Sequence, residues 1–261
     1  MEFEERLVAY IDILGFKDKV EKAVSSPDDA SKLHKALSRI LSVKEDNYAS
    51  DSFMEMKSMG VEVNTFSDCA VISYPASNPD NLFFLIMDLI HLQLDLACQD
   101  VLLRGGLTVG PLYHDENIVY GTAMNNAYLM ESRKAVVPRI LVDKKAIEEY
   151  RNHFKNDNYS LQDMDSLLRK DADGEYCIDM LHQDQELTDY GTEYYEWLKR
   201  LRAVISQGLS NPDIKVVMKY RWLKEYFNEV VTDAKAFYPI PQEEPMGNSN
   251  EFRKMYTILK I

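Results

Sequence analysis

Residues 7–20, LVAYIDILGFKDKV, decide the fold because they open as a buried strand and then place a carboxylate inside the apolar run. Strands are poor in Asp, and a carboxylate in apolar surroundings is costly unless it is paired or binds a metal ion. Gly15 breaks the strand pattern, and a helical pattern begins at Phe16. We therefore expect a strand over residues 6–13 that carries Asp12 at its end.

The elements that follow this strand predict an α+β fold with a ferredoxin-like βαββαβ core. Two helical patterns come first, then two strands joined by a turn at Ser67 and Asp68. An apolar run follows, interrupted by Asp and His residues, which favours a buried or interface helix over a membrane span. A Gly-punctuated strand completes the pattern. The predicted ranges are helices over 16–26, 27–43 and 81–103, strands over 61–66, 69–75 and 102–113, and a polar loop over 44–60.

The rest of the chain divides into a completion of this core and a different C-terminal region. We expect a core domain over residues 1–155, and a second part over 156–261 with one or more completing strands and a helical extension. The further predicted elements are strands over 117–121, 139–143 and 176–181, helices over 122–135, 144–154, 192–209 and 213–231, and a Pro-rich loop over 238–250.

Charge and composition narrow the class of protein. The formal net charge of −13 argues against direct binding to nucleic acid and against insertion at an anionic membrane, because phosphates need Lys and Arg surfaces. The three cysteines have no C-x-x-C spacing, which indicates reduced thiols and a cytoplasmic location. The acidic N-terminus, MEFEER, lacks the pattern of a signal peptide.

Two carboxylates are the strongest candidates for chemistry. In a βαββαβ sheet the first strand neighbours the hairpin formed by the second and third strands, so Asp12 and Asp68 are expected to lie side by side. Such a pair suits Mg²⁺ and a triphosphate, and the turn from Leu14 to Phe16 opens a helix whose N–H groups suit phosphate oxygens. The residues alone are equally compatible with Asp68 as an ordinary turn residue and Asp12 as a partly exposed strand end.

Four blocks of the sequence resemble, in order, the catalytic domains of class III nucleotidyl cyclases. They are AYIDILGFKD, TFSDCAVISY, LLRGGLTVGPLY followed by NIVYGTAMNNAYLMES, and RILVD, and the resemblance covers roughly residues 6–145. It implies a homodimer that binds two Mg²⁺ or Mn²⁺ ions and a nucleoside triphosphate.

The resemblance also implies roles for individual residues. Asp12, Asp68 and the carbonyl of Ile13 would bind the metal ions, and Arg104 would be the strand arginine of the site. Asn125 would position the ribose in the partner's site. The remaining substrate-binding residues implied are Phe16, Asn64 and Ile118.

The departures from the family pattern concern the base and the transition state. Asn64 stands where adenylyl cyclases have a base-reading Lys, and Ile118 stands where they have an Asp; guanylyl cyclases have Glu and Cys at these positions. Neither purine pattern is therefore present. Leu129 replaces the transition-state Arg, which a Leu cannot imitate. Arg133, one helical turn further on, or Arg104 is a possible substitute, although Arg133 also fits a solvated helix end.

In these departures the sequence resembles the pyrimidine cyclases of the bacterial Pycsar antiphage systems. The stretch KYRWLKEYFNEV over 219–230 resembles a helix of the same group. This resemblance implies conversion of UTP or CTP to cUMP or cCMP, a second messenger for a downstream effector protein in defence against phage. The alternatives are a divergent adenylyl cyclase and a non-catalytic, cyclase-like module that binds a nucleotide or a partner.

Two other features receive structural interpretations. The five His residues match no metal-binding spacing, and His114 with Asp115 is expected in a loop. Gly105, Gly106 and Gly110 are expected to permit close packing of their strand rather than to bind phosphate.

Overall fold

The central strand of the protein is β1 (Glu4–Ile13), which pairs antiparallel with β3 (Cys69–Pro75) on one side and with β4 (Leu103–His114) on the other. The computed structural model describes residues 2–48, 60–97, 99–183, 192–237 and 260–261. Within them β2 (Glu62–Phe66) lies outside β3 and gives the order β2-β3-β1-β4. This is the order of a ferredoxin-like βαββαβ sheet, and the α+β fold predicted from the sequence is confirmed.

Four short strands extend this sheet to eight strands among the described residues. The order continues from β4 through β6 and β8 to β7, and β5 pairs with the end of β4. The short strands are β5 (Val119–Gly121), β6 (Ile140–Val142), β7 (Leu168–Lys170) and β8 (Tyr176–Ile178). The helices are α1 (Phe16–Ser25), α2 (Pro27–Tyr48), α3 (Asn81–Ala97), α4 (Thr122–Lys134), α5 (Lys144–His153), α6 (Asn158–Ser166), α7 (Thr192–Leu209) and α8 (Ile214–Phe237).

The two faces of the sheet are covered by different helices. Successive side chains of a strand point to opposite faces, so Val71 and Tyr74 lie on different sides. The Tyr74 hydroxyl donates to Asp88 of α3, which places α3 on one face. On the other face α4 packs Ala123 and Ala127 against Val71 and its apolar neighbours.

Gly106 sets how closely α4 approaches the sheet. A Cβ atom at this position would lie 2.6 Å from the carbonyl oxygen of Ala127 and 2.6 Å from Met130 Cβ. Gly105 points the other way, where a Cβ would lie 2.6 Å from the carbonyl oxygen of Tyr10. Both glycines therefore permit close packing, as predicted.

Several predicted boundaries were wrong. The helix predicted over 27–43 continues to Tyr48, which is part of the predicted loop over 44–60; residues 49–59 of that loop are outside the described residues. The helix predicted over 81–103 ends at Ala97, because the left-handed φ of 58° at Asp100 turns the chain towards β4. His114 closes β4 instead of lying in a loop.

The chain divides into two compact units between Asp179 and Met180. The first unit contains the whole sheet, including α6 and β7, which arise from a stretch whose polar composition predicted no element. The second unit contains α7 and α8, in which Tyr194 donates to the carbonyl oxygen of Leu181 and Tyr226 accepts from its N–H. The Pro-rich stretch 238–250 lies outside the described residues. The expected division into 1–155 and 156–261 stays a prediction.

In the described part of the chain no helix is both long and apolar enough to cross a membrane.

Candidate active site

Asp12 lies at the point where three strands meet. In the register of the sheet it stands opposite Cys69 of β3 and opposite Arg104 of β4. Directly opposed residues of antiparallel strands project on the same face. Asp12, Cys69 and Arg104 therefore share the α4 face, at the end of the sheet where β1 runs out.

Asp68 is brought to Asp12 by the hairpin between β2 and β3. Ser67 adopts a left-handed φ of 58°, a conformation in which glycine is favoured, and this sharp turn stands next to Asp68. The N–H of Ile13 then donates to the carbonyl oxygen of Asp68 over 2.9 Å. This bond fixes the turn against the end of β1, so the two carboxylates lie beside each other as the sequence predicted.

The electrostatic state of Asp12 reflects this crowding. Burial is the main reason that the pKa of its carboxyl lies above the ordinary value, and the neighbouring charge of Asp68 raises it further. The guanidinium of Arg104 acts in the opposite direction. Burial and the Asp68 charge together outweigh the effect of Arg104 on the pKa of this carboxyl.

Arg104 bridges two carboxylates on different elements. Its Nε donates to Oδ2 of Asp12 over 2.7 Å, and its Nη2 lies 2.7 Å from Oε1 of Glu131. The side chain of Arg104 is half-buried, whereas that of Glu131 is only 4% exposed. The arginine is thus held from the sheet on one side and from α4 on the other.

Glu131 is the site residue that the sequence interpretation missed. It continues the buried stripe of α4 after Ala123 and Ala127, at a spacing of four residues. Burial raises the pKa of its carboxyl, the charges of Asp12 and Asp68 raise it further, and Arg104 lowers it. A charged residue within a stripe of small buried residues was the available signal, because buried acids require a partner.

The donor set at this end of the sheet fits a hard divalent cation. Asp12 and Asp68 supply carboxylate oxygens, and the main chain of Ile13 adjoins both through its bond to Asp68. Mg²⁺ is bound in proteins through one or two carboxylates with water and phosphate oxygens as its other ligands. Among the described residues no three His, Cys, Asp or Glu side chains are grouped to hold a metal. A cation here would therefore use two carboxylates.

The structure does not bring Asn125 and Arg133 to this cluster. Both are exposed on α4, and so is Leu129 between them. These three residues are offset by two positions, about 200° of helix rotation, from the buried stripe of Ala123, Ala127 and Glu131. They face away from the sheet of their own chain.

Asn64 lies on β2 at the edge of the same face. In the amide orientation assigned from its neighbours, its nitrogen lies 3.1 Å from the carbonyl oxygens of Val63 and Asp115 and 2.9 Å from His114 Nε2, and these three acceptors share its two N–H groups. His114 Nδ1 then donates to Ser73 Oγ over 2.7 Å. Burial, with smaller contributions from the charges of Arg6 and Lys44, lowers the pKa of His114 to about 4, so its ring is neutral at pH 7.

The remaining predicted substrate residues are Ile118, whose main chain is hydrogen-bonded to Asp115 of this network, and Phe16. Ile118 precedes β5 and is 54% exposed. Phe16 is the first residue of α1 and half-buried, directly after Gly15, whose φ is 71°. The roles of both residues stay predictions.

Comparison with known proteins finds solved structures that are similar at low sequence identity. No protein-family model matches the chain, and no curated protein matches it. Among solved structures it is similar to a bacterial light-regulated adenylyl cyclase, with a TM-score of 0.42 and 13% identity, over 78% of this chain and 100% of that one. It is also similar to the catalytic core of a rhodopsin-guanylyl cyclase with converted specificity in complex with ATPαS. There the TM-score is 0.41 and the identity 18%, over 68% of this chain and 96% of that one. Both of these proteins are nucleotidyl cyclases.

Proposed function

We propose that this protein is a nucleotidyl cyclase that converts a nucleoside triphosphate to a 3′,5′-cyclic monophosphate and pyrophosphate. The observation that carries the proposal is the meeting of Asp12 and Asp68 at the ends of neighbouring strands, with Arg104 in register beside Asp12. Two acids and one arginine at the end of a sheet suit the binding of a magnesium triphosphate.

The metal ligands would be Asp12, Asp68 and the Ile13 carbonyl, holding two Mg²⁺ or Mn²⁺ ions. When bound, the ions would activate the ribose 3′-hydroxyl and neutralise the leaving pyrophosphate. Burial, and then the charge of Asp68, raise the pKa of Asp12, and a cation bound between the two carboxylates would offset both effects. Arg104 is the nearby group that can meet phosphate oxygens with several N–H donors.

UTP or CTP is the preferred substrate in this proposal, and cUMP or cCMP would be a messenger to an effector protein in antiviral defence. Asn64, held by His114, offers an amide that can hydrogen-bond to a pyrimidine edge, and Ile118 offers only apolar contact. A site with such fixed groups rejects a base that leaves them unpaired by orders of magnitude.

A homodimer would complete each site. The exposed face of α4, with Asn125, Leu129 and Arg133, points away from its own sheet and is free to serve the site of a second copy. A two-fold dimer repeats such a contact twice and gives two equivalent composite sites. The exposed Tyr128 and Leu129 supply apolar surface on this helix.

The test is to incubate the purified protein with each of the four nucleoside triphosphates and Mn²⁺ and to identify the products by mass spectrometry. We expect cUMP or cCMP as the main product and pyrophosphate in equal amount. In an equimolar competition, cAMP as the main product would overturn the pyrimidine preference and leave the cyclase activity intact. Tight binding of metal and nucleotide without any product would instead identify a non-catalytic module.

Shared sites can be tested by mixing two defective chains. Asp68→Ala and Asn125→Ala proteins should each be inactive or weak alone. In a randomly mixed population half of the dimers are heterodimers, and one of their two sites carries neither defect. Roughly a quarter of all sites should then recover activity. No recovery despite proven subunit exchange would show that each chain contains its whole site.

A further inference from the structure

We infer that Glu131 is a positioning residue, which holds Arg104 at the site so that the arginine can leave Asp12 to a divalent cation and meet phosphate oxygens. The inference rests on the proposed function, because it concerns the same site. It adds Glu131 to that site and gives Arg104 two successive partners.

The first support is the way in which Arg104 is shared. The guanidinium donates through Nε to Asp12 over 2.7 Å, and its Nη2 forms an ion pair with Glu131 Oε1 at 2.7 Å, where that oxygen accepts no aligned hydrogen bond. Asp12 is also a proposed metal ligand, and a cation bound to it would repel the positively charged guanidinium. When a cation occupies Asp12, Glu131 remains as the anchor of the arginine.

The second support is the place of Glu131 in α4. It follows Ala123 and Ala127 in the buried stripe of the helix, and its side chain is 4% exposed. The close approach of α4 at Gly106 brings this turn of the helix over Arg104, which lies two residues before Gly106 on the same face of β4. Glu131 on α4 and Arg104 on β4 are thus each carried by a rigid element, and these two elements pack closely together.

The third support is that stability alone does not explain a buried acid here. A buried ion pair is often no more stabilising than well-packed apolar side chains of similar volume. An apolar residue would continue the stripe of Ala123 and Ala127 without any desolvation cost. A carboxylate aimed at Arg104 instead fixes the direction of the guanidinium, which matters for a group that must meet a ligand.

The negative charge of Glu131 makes the inference testable through the binding of an anionic triphosphate. Glu131 is negative, so by charge alone its removal should strengthen the binding of an anionic triphosphate. If Glu131 positions Arg104, its removal should weaken that binding. The two effects have opposite signs, and a purely structural role would change the melting temperature without this dependence on Arg104.

The experiment measures binding of inorganic triphosphate by calorimetry in excess Mn²⁺, which involves neither a base nor a cyclisation step. We expect Arg104→Met to weaken binding roughly 10- to 100-fold, as for loss of charged hydrogen bonds. Glu131→Gln should weaken it roughly tenfold in the native background and less than twofold in the Arg104→Met background, because the effect passes through the arginine. Glu131→Met, which preserves packing, is the second variant in case Glu131→Gln folds poorly.

A matched control is Glu149→Gln. Glu149 pairs with Lys145 on the surface of α5, and its side chain is 53% exposed, so its removal should leave triphosphate binding unchanged. Unchanged or tighter binding by both Glu131 variants would overturn the inference, and so would equal weakening in both backgrounds. Arg104- and Glu131-dependent triphosphate binding by a protein that forms no cyclic nucleotide would refute the proposed function and leave this inference standing.

Discussion

The two faces of the central sheet have opposite character, although their residues alternate along the same strands. On the α3 face Leu7, Ala9, Ile11 and Ile13 of β1 are at most 5% exposed. On the α4 face the same strand carries Arg6, Tyr10 and Asp12, with Val8 between them. Since a strand has a side-chain period of two, it can hold a core with one set of residues and a site with the other.

The difference teaches that stability and chemistry can be separated by residue parity within a single strand. Apolar burial on the α3 face stabilises the sheet, and this leaves the α4 face free to carry carboxylates that folding alone would not favour. Substitutions on the two faces should therefore differ in what they damage.

The largest expected effect is on the α4 face. Asp68→Asn keeps the shape of the side chain but removes a charged metal ligand, a loss of several kcal/mol in transition-state stabilisation. Cyclic nucleotide formation should fall by roughly a thousandfold or more, and Asp12→Asn should behave similarly. The melting temperature should stay nearly unchanged for both. Product formation within tenfold of the native rate would remove these residues from the catalytic site.

The opposite pattern is expected on the α3 face. Ile72 is fully buried, and Ile72→Ala should lower the free energy of unfolding by about 2–5 kcal/mol through the cavity it leaves. Activity per folded molecule should be retained well below the melting temperature. Denaturant titration and the cyclase assay together check this result. A large loss of activity in the folded protein would show that the two faces are not independent.

A substitution at the contact between sheet and α4 should damage both properties. Gly106→Ala places a methyl group 2.6 Å from the Ala127 carbonyl oxygen, so α4 must shift. The expected cost is about 1–3 kcal/mol of stability, together with reduced activity because Glu131 moves with the helix. Gly110→Ala is the matched control: its methyl group would lie 3.5 Å from Ala123 Cβ, an ordinary contact. Equal effects of the two substitutions would contradict this account of Gly106.

Local patterns were sufficient to predict most elements and the meeting of Asp12 with Asp68. Strands and helices have different apolar periods, and the ferredoxin-like order brings β1 beside the β2–β3 hairpin. The end of α3 was mispredicted because only Gln99 and Asp100 separate its apolar residues from the apolar residues that lead into β4. The strand β7 was missed because its residues are polar or half-exposed.

The four-residue spacing after Ala123 and Ala127 marks Glu131 in the sequence, but this spacing could not identify its partner, which lies 27 positions away on β4. Its burial depends on the close approach of α4 at Gly106, and that contact appears only when helix and sheet are packed. The hydrogen bonds of His114 are equally non-local, because they join β2, β3 and β4.

The smallest expected effect sharpens the comparison at the edge of the α4 face, where His114 stays neutral between Asn64 and Ser73. Its pKa of about 4 lies below the ordinary value of 6.5. Between these values the unfolded chain binds a proton that the folded chain does not, so the contribution of His114 to stability is present above pH 6.5 and is lost as the pH falls towards 4.

Asp12 and Glu131 act in the opposite direction, because their raised pKa values favour the folded state as the pH falls. The native protein alone therefore gives a mixed profile, and the comparison with His114→Gln isolates the histidine. On the order of 1 kcal/mol of the difference between the two proteins should disappear between pH 6.5 and 4, since the partly solvated ring feels its neighbours through screening water. Urea titrations at half-unit pH steps measure this difference, and two parallel stability profiles would mean that His114 is protonated in the folded protein as readily as in the unfolded chain.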